Sequence, residues 1–525
     1  MDINRPAPFL NNKPLSFFLP YFIFFFAIIY FIGFSPFSFS EFPLDDAWIH
    51  RVYSHSFAYG HGFQYNQGTQ EAGSTSPLWA IISAPAQWFE HYGTGAVVVA
   101  VKFIGIIIGA FVLLFIQKIT ETLTESDKIG IATASLFAVE PRFLFSVLSG
   151  METVLLIALW LSALYTLMQR KWVLSSVLIS LTPVTRPEAI LILPLWILGF
   201  FLYSKHLLML KRVSILITIL IPISLWGIFC KLTNGHWLPN TFYLKSRPFH
   251  IGINEINVAW QSLSQHGFAS LFIFFIGIGV YILWSFIKNN NLNTLPLLLI
   301  FIGPLIYLGG VVGTRIIMLH GYYWTRWVDP AALIITVPFC IGYGILLTGK
   351  LNPKKLFAKT RHRKNDKIYS ASVIALTIVT LIISLSSFYK SFLDRKKHLS
   401  SDSRAIYLLN VQAGKWIAKN TSPDAIIGVN DAGAIRYFGK RETIDLMGLN
   451  NSDIAFRRKT PDQIVKRLNW LVIFPSWFQG SNIFNFFEER KLFHIPLTEY
   501  TVCNCPGQTT IVIYKKKQMP LKKTK

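Results

Sequence analysis

The strongest constraint on the fold of this chain is a series of long apolar runs separated by short basic loops. The first run, from Phe17 to about Phe34, is long enough to cross a bilayer, and no small-residue cleavage site follows it. Hydrophobic residues make up 52% of the 525 residues and charged residues only 14%, which lies outside the range of soluble domains. The sequence therefore predicts an α-helical polytopic membrane protein with about eleven transmembrane helices.

The basic residues predict the orientation of the chain in the membrane. A formal net charge of +24 would suggest a nucleic-acid partner in a soluble protein, but here the basic residues collect in short loops between apolar runs. Such loops face the cytoplasm and meet anionic lipid, so no nucleic-acid partner is expected. Lys13 precedes the first run, and the most basic loop extends from Lys350 to Lys367. We therefore expect a cytoplasmic N-terminus and an outer location for the loop segment 36–77.

The composition divides the chain into two predicted domains. Residues 1–388 form the predicted transmembrane module, in which Pro77 to Phe89 is a short helix at the interface. Further runs that could span lie at about 95–116, 129–147, 151–168, 172–185, 189–204, 213–232, 267–287, 294–312, 330–348 and 369–388. Residues 389–525 alternate helical and strand-like patterns and end in a basic tail, which predicts a soluble α/β domain on the outer face.

The loop segment 36–77 carries two adjacent acids, Asp45 and Asp46, shortly after the first apolar run. Two neighbouring carboxylates separate in pKa, so that one can act as a base near neutrality while the other orients a substrate or a metal. If a helix follows Leu44, Asp46 and His50 lie on one face. That arrangement suits a base with its orienting partner, or two ligands of a divalent cation such as Mg²⁺ or Mn²⁺. The alternative is an acidic start of an interfacial helix.

Other acidic and basic residues occur at the predicted outer ends of spans. Glu152, in S-G-M-E-T, opens an apolar run, and Arg186 and Glu188 flank a proline in T-R-P-E. Charges beside a span usually face an internal cavity and mark a site. An acid favoured by the helix dipole at Glu152, and a structural Arg–Glu pair at the chain break, are the alternative interpretations.

Basic residues near the later spans suggest a phosphate site. Asn240, Tyr243 and Lys245 occur in L-P-N-T-F-Y-L-K, and Arg315 and Arg326 flank another pair of spans. Fixed cations at the membrane surface suit a lipid-linked phosphate, which Arg can bind through two oxygens, although each cation could instead snorkel to bulk lipid. The candidate substrate-binding residues are therefore His50, Glu152, Arg186, Glu188, Asn240, Tyr243, Lys245 and Arg326.

An ordered series of motifs carries a resemblance to a known family. These are D-D-A-W-I-H, G-H-G-F-Q-Y-N, S-T-S-P-L-W, S-G-M-E-T, T-R-P-E, L-P-N-T-F-Y-L-K and T-R-W-V-D-P. The chain resembles the GT-C superfamily of polyprenyl-phosphate-sugar-dependent glycosyltransferases, and within it the branch containing the mycobacterial terminal β-(1→2) arabinofuranosyltransferase. The resemblance covers almost the whole chain and leaves the sugar open.

The resemblance implies an inverting transfer on the outer face of a bacterial inner membrane. The sugar would move from a polyprenyl-phosphate donor to an envelope glycan, lipid or protein, with or without a divalent cation. Asp45 and Asp46 both match the aspartates among which such enzymes find their general base, and Asp45 is placed slightly ahead. Lys245 and Arg326 would hold the donor phosphate and stabilise the charge that develops on it. Asp329, in the last motif, could neutralise Arg326.

A transporter or flippase for a lipid-linked or anionic solute is the alternative function. Transporters usually have paired halves with matching broken segments. Here the acids cluster in one outer loop and no half-repeat is visible, which favours the transferase.

Overall fold

The computed structural model describes residues 14–33, 35–264, 295–314, 326–347, 366–496 and 509–517. Four features of the sequence analysis lie wholly or mostly outside these residues: the predicted span at 267–287, Arg315, the Lys350 to Lys367 loop and the basic tail.

Helices make up nearly all of the structure before the C-terminal sheet. In chain order they are α1 (Leu19–Ile32), α2 (Pro36–Ser40), α3 (Asp45–Ala58), α4 (Pro77–Ile82), α5 (Thr94–Thr124), α6 (Asp127–Ala138), α7 (Pro141–Leu148), α8 (Thr153–Met168), α9 (Trp172–Thr185), α10 (Leu193–Tyr203), α11 (Met209–Asn234), α12 (Asn240–Lys245), α13 (Ile253–Ser264), α14 (Leu295–Thr314), α15 (Asp329–Leu347) and α16 (Asp366–Ile406).

Several of these helices have the length and composition of membrane spans. Within the described ranges, three helical segments are long and apolar enough to cross a bilayer: Leu15–Ile32, α5 and α11. The pair α6 and α7 qualifies as one broken span with a 65° bend. The break follows from Pro141, because the residue before a proline is disfavoured in the α conformation, and Glu140 is extended. Shorter apolar helices accompany these spans, so the chain is a helical membrane protein, while the number of spans stays a prediction.

The loop segment 36–77 contains the helix expected after Leu44. Helix α3 begins at Asp45 and places both acids in its first turn, where the helix dipole favours them. A short hairpin of β1 (Gln64–Asn66) and β2 (Thr69–Gln70) follows it. Helix α4 and a 3₁₀ helix over Ala84–Tyr92 then occupy the place of the predicted interfacial helix.

The C-terminal part folds around a five-stranded sheet, which we call the sheet domain. Its strands are β3 (Ile426–Val429), β4 (Glu442–Asp445), β5 (Trp470–Ile473), β6 (Phe487–His494) and β7 (Thr510–Lys516). The order is β4-β3-β5-β7-β6; β3 pairs in parallel with β4 and β5, and the pairs β5–β7 and β7–β6 are antiparallel. The sequence predicted every strand of this sheet except β6, an edge strand whose side chains are mostly exposed and charged.

Four helices accompany the sheet. They are α17 (Gln412–Asn420), α18 (Ala434–Gly439), α19 (Ser452–Ala455) and α20 (Pro461–Arg467), and a π-helical turn at Tyr407–Val411 joins α16 to α17.

The sheet domain packs directly on the loop segment 36–77. The fully buried ring of Trp48 lies 4.8 Å from that of Phe438, centroid to centroid. The side chain of Asn66 donates to the carbonyl of Thr443 at 2.8 Å and accepts from its N–H at 2.9 Å. One buried apolar cluster therefore continues from the membrane helices through α3 into the sheet domain, and it holds the first turn of α3 in a fixed position.

Candidate active site

A cleft of about 580 Å³ lies where α3, α12 and the sheet domain meet the ends of membrane helices. Its lining residues are Asp46, Ile49, His50, Gly73, Thr75, Met151, Glu152, Arg186, Pro187, Glu188, Thr241, Lys245, Arg326, Trp327, Leu449 and Asn450. The structure thus brings together seven of the residues selected from the sequence, although they are separated by up to 280 positions along the chain, from Asp46 to Arg326.

Asp46 lies between two cations of the cleft. Nη1 of Arg326 is 2.6 Å from Oδ2 of Asp46, and Nζ of Lys245 is 3.9 Å from Oδ1. Both cations also face the ring of Trp327, at 5.0 Å for the Arg326 guanidinium and 5.8 Å for the Lys245 ammonium. Burial opposes ionisation of Asp46, but these cations outweigh it and lower its pKa to about 2. Asp46 is therefore the anionic counter-ion of Arg326 and Lys245.

Asp45 contacts the sheet domain instead of the cleft. Its Oδ2 accepts a hydrogen bond from the N–H of Gly433 at 2.7 Å, and its Oδ1 accepts from the N–H of Ala434 at 2.8 Å. The side-chain amide of Asn410 donates to Asp45 at 3.2 Å and to Asp431 at 2.8 Å. Burial, followed by the nearby Asp431, raises the pKa of Asp45 well above its usual value. The two adjacent acids therefore have different partners, although one helical turn holds both.

His50, Glu152 and Arg186 form a buried chain of contacts behind Asp46. Nε2 of His50 is 3.1 Å from Oε2 of Glu152, and Nε of Arg186 is 3.2 Å from Oε1. Nη1 of Arg186 also donates to the backbone carbonyl of Arg326 at 3.1 Å. Helix α3, the start of α8 and the end of α9 are thereby joined to the segment that carries Arg326.

The remaining candidates occupy different positions. Glu188 is buried and lines the cleft, but Asn240 and Tyr243 are not among the lining residues. Asn240 donates from its side chain to Glu71 at 2.8 Å, and the ring of Tyr243 lies 5.6 Å from that of Phe456. Both residues therefore fix α12 against the loop segment 36–77 and the sheet domain.

A divalent cation bound by Asp46 and His50 would have to displace the ion-pair partners of both side chains. Asp46 and His50 share one face of α3, as predicted, but Asp46 is paired with Arg326 and His50 with Glu152. Among the residues that the structure describes, no group of three or more His, Cys, Asp or Glu side chains could hold a metal ion. Mg²⁺ can be held by one or two protein carboxylates together with water and substrate phosphate oxygens, so metal binding by Asp46 and His50 stays a prediction.

The sheet domain supplies two cleft residues that the sequence analysis did not select, Leu449 and Asn450. The hydroxyl of Tyr53 donates to Oδ1 of Asn450 at 2.9 Å, and Nδ2 of Asn450 donates to Asp445 at 3.0 Å. One feature of the sequence could have identified these two residues. They follow Asp445, the last residue of β4, a strand that the sequence predicted, and ligands of open α/β sheets bind outside the carboxyl ends of parallel strands.

Comparisons with known proteins find similar structures for the fold of this chain. A family described as "Domain of unknown function (DUF8728)" matches residues 401–514. No curated protein sequence matches the chain. The apo oligosaccharyltransferase of Archaeoglobus fulgidus is similar in structure, with a TM-score of 0.51 and 12% identity over 87% of this chain and 69% of that one.

ArnT from Cupriavidus metallidurans, bound to undecaprenyl phosphate, is a second similar structure. It has a TM-score of 0.52 and 12% identity, and the similarity covers 95% of this chain and 97% of that one. At this identity the comparison establishes the fold. The chain therefore has the GT-C type of fold, a helical membrane module followed by a C-terminal sheet domain.

Proposed function

We propose that this chain is an inverting membrane glycosyltransferase, which moves a sugar from a polyprenyl-phosphate donor to a cell-envelope acceptor. The observation that carries the proposal is the pairing of Asp46 with Arg326 and Lys245 in a cleft at the ends of membrane helices. An acid that can take a proton therefore lies at ion-pair distance from two cations that can hold a phosphate. The similarity in fold to ArnT, which binds undecaprenyl phosphate, supports a polyprenyl-phosphate donor.

Arg326 and Lys245 would bind the donor phosphate. The planar guanidinium can bind two phosphate oxygens, and the ammonium can bind a third as a point charge. Both cations lie near the ring of Trp327, which also lines the cleft. As the bond between the sugar and the phosphate breaks, charge grows on the phosphate oxygens, and these cations stabilise it.

Asp46 would be the general base, and Asp45 would hold the sheet domain. This assignment reverses the order that the sequence suggested, because both oxygens of Asp45 accept backbone N–H groups of the sheet domain. In an inverting transfer the acceptor oxygen attacks the anomeric carbon from the face opposite the phosphate. The acceptor proton passes to Asp46, and the phosphate leaves with the electron pair of the broken bond.

The acceptor would enter beside the sheet domain, since Leu449 and Asn450 form that wall of the cleft. We place the reaction on the outer face of a bacterial inner membrane, with a cytoplasmic N-terminus and the domain of residues 389–525 outside. The acceptor would be an envelope glycan, lipid or protein. The sugar would be a hexose or a pentose.

The test is mass spectrometry of envelope glycans and lipid-linked sugars from the source organism lacking this gene. Wild type should restore a glycan that has lost one sugar, whereas Asp46→Asn and Arg326→Gln should leave the donor accumulated although both insert normally. The control is Glu442→Gln, which changes an exposed acid of the sheet domain and should complement fully. Full complementation by Asp46→Asn and Arg326→Gln would reject the transferase and favour transport of a lipid-linked solute.

A further inference from the structure

The two cations proposed to bind the donor phosphate are both paired with Asp46. Among the residues that the structure describes, the titratable side chains that line the cleft, His50 aside, are three acids and three bases: Asp46, Glu152, Glu188, Arg186, Lys245 and Arg326. The pair of Asp46 and Arg326 is close, at 2.6 Å, and the side chain of Arg326 is only 5% exposed. An incoming phosphate therefore meets two cations whose combined charge is partly offset by the carboxylate of Asp46.

We propose that Asp46 and the donor phosphate compete for Arg326 and Lys245, so that donor binding itself releases Asp46 to act as the base. This inference rests on the proposed function and adds the order of events to it. Before the donor binds, Asp46 is a poor proton acceptor because two cations hold its charge. After the donor binds, the phosphate takes over these cations.

The surroundings of Asp46 determine what happens to it after the exchange. On its own helix it is faced by Asp45 and His50, from the sheet domain by Asp431, and from the remaining walls by Lys245 and Arg326. His50 contacts Glu152 through Nε2, and it favours the charged form of Asp46 less than Arg326 or Lys245 does. Burial then favours the protonated form of Asp46, which makes it a stronger base for the acceptor hydroxyl.

The proposed cycle balances in protons and charge. The acceptor oxygen forms the new bond to the anomeric carbon, its proton moves to Asp46, and the bond from that carbon to the phosphate oxygen breaks. The polyprenyl phosphate leaves with one more negative charge than it had in the donor, while Arg326 and Lys245 hold it. When it dissociates, Asp46 gives its proton to water and pairs with Arg326 again. Asp46 therefore takes no proton from an acceptor hydroxyl when the donor is absent, because Arg326 and Lys245 then hold its charge.

The test is binding of undecaprenyl phosphate to the full-length protein in nanodiscs, measured by calorimetry at pH 7. Asp46→Asn should bind this lipid more tightly than wild type, on the order of tenfold, because the competing charge is gone. Arg326→Gln should bind it more weakly. The control is Glu442→Gln, which likewise replaces a carboxylate with an amide, in an exposed acid of the sheet domain that pairs with Arg467, and it should stay within about twofold of wild type.

Proton uptake provides the second readout. Comparison of binding enthalpies in buffers with different ionisation enthalpies gives the number of protons taken up with the lipid. Wild type should take up more protons than Asp46→Asn, since only wild type has the released carboxylate. Protonation of the lipid phosphate itself is common to both proteins and cancels in the difference.

The outcomes separate this inference from the function on which it rests. If Asp46→Asn binds the lipid as tightly as wild type or more weakly, while Arg326→Gln still loses binding, the competition is rejected and the transferase remains. If wild type binds no undecaprenyl phosphate, or Arg326→Gln binds it unchanged, both proposals are rejected.

Discussion

Asp329 pairs with Arg142 deep inside the membrane module, with Nη1 of Arg142 2.5 Å from Oδ1 of Asp329 and both side chains fully buried. The sequence had suggested that Asp329 could neutralise Arg326, three residues earlier. Among the described residues, the ion-pair partner of Asp329 is Arg142, and Arg326 is paired with Asp46. The buried pair joins the start of α7 to the start of α15, and Arg326 lies just before α15.

Breaking this pair should destabilise the protein strongly. Asp329→Asn removes the carboxylate that pairs with the buried Arg142 charge, and breaking a buried ion pair typically costs about 3–5 kcal/mol of the free energy of unfolding. The control is Glu442→Gln, which removes the partner of Arg467 in a half-exposed pair at 3.0 Å and should cost less than about 1 kcal/mol. Unfolding of both variants in the same detergent would compare them. Equal losses of unfolding free energy in the two variants would show that the buried pair contributes no more to stability than the half-exposed pair.

Substitutions of the two adjacent acids should have different effects, one on stability and the other on transfer. Asp45→Asn removes one of the two oxygens that accept N–H groups from Gly433 and Ala434, so it should lower stability by about 1–3 kcal/mol and loosen the sheet domain. Asp46→Asn should abolish transfer and leave the sheet domain docked. Thermal unfolding, limited proteolysis and a transfer assay on both variants would test this. Loss of transfer by Asp45→Asn at wild-type stability would instead identify Asp45 as the base.

Gly433 should tolerate no side chain. A Cβ at this position would lie 2.1 Å from the backbone oxygen of Asp45, so Gly433→Ala must separate the sheet domain from α3. We expect a loss on the order of 1–3 kcal/mol, as for overpacked cores. Gly309→Ala is the matched control, because nothing lies within 4 Å of its Cβ and alanine is the better helix former. A thermal midpoint for Gly433→Ala equal to that of Gly309→Ala would contradict the close contact.

The docking of the sheet domain should depend on pH through Asp431. Burial, with smaller contributions from Asp46 and Asp445, raises the pKa of Asp431 to about 6 from its ordinary value of 3.8. The folded state therefore holds this proton more tightly than the unfolded state does. The resulting stability is fully present below pH 3.8 and is lost as the pH rises to about 6.

Asp431→Asn should remove this part of the pH dependence. The measurement is the thermal midpoint of wild type and variant at several pH values across that window in one detergent. The midpoint of wild type should fall relative to that of the variant as the pH rises. Parallel curves would show that Asp431 ionises normally in the folded protein.

The sequence predicted the helices and strands better than the contacts between them. The apolar runs predict helices because only hydrogen-bonded backbone is stable in lipid, and α5, α8 and α11 lie where those runs are. The helix after Leu44 was also expected, and with it the shared face of Asp46 and His50. The edge strand β6 was missed because its exposed charged residues lack the alternation of a half-buried strand.

The composition and local patterns by themselves determined a polytopic helical membrane protein, a C-terminal α/β domain and a set of candidate residues that includes the acids and cations of the cleft. Only the tertiary structure decided which of these residues meet. It turned Asp45 to the backbone of Gly433 and Ala434, and Asp46 to Arg326 and Lys245. The physical reason is that neighbouring residues of a helix differ in direction by about 100°, so two adjacent acids reach different surroundings. What stands in those surroundings depends on segments hundreds of residues away, which no local pattern specifies.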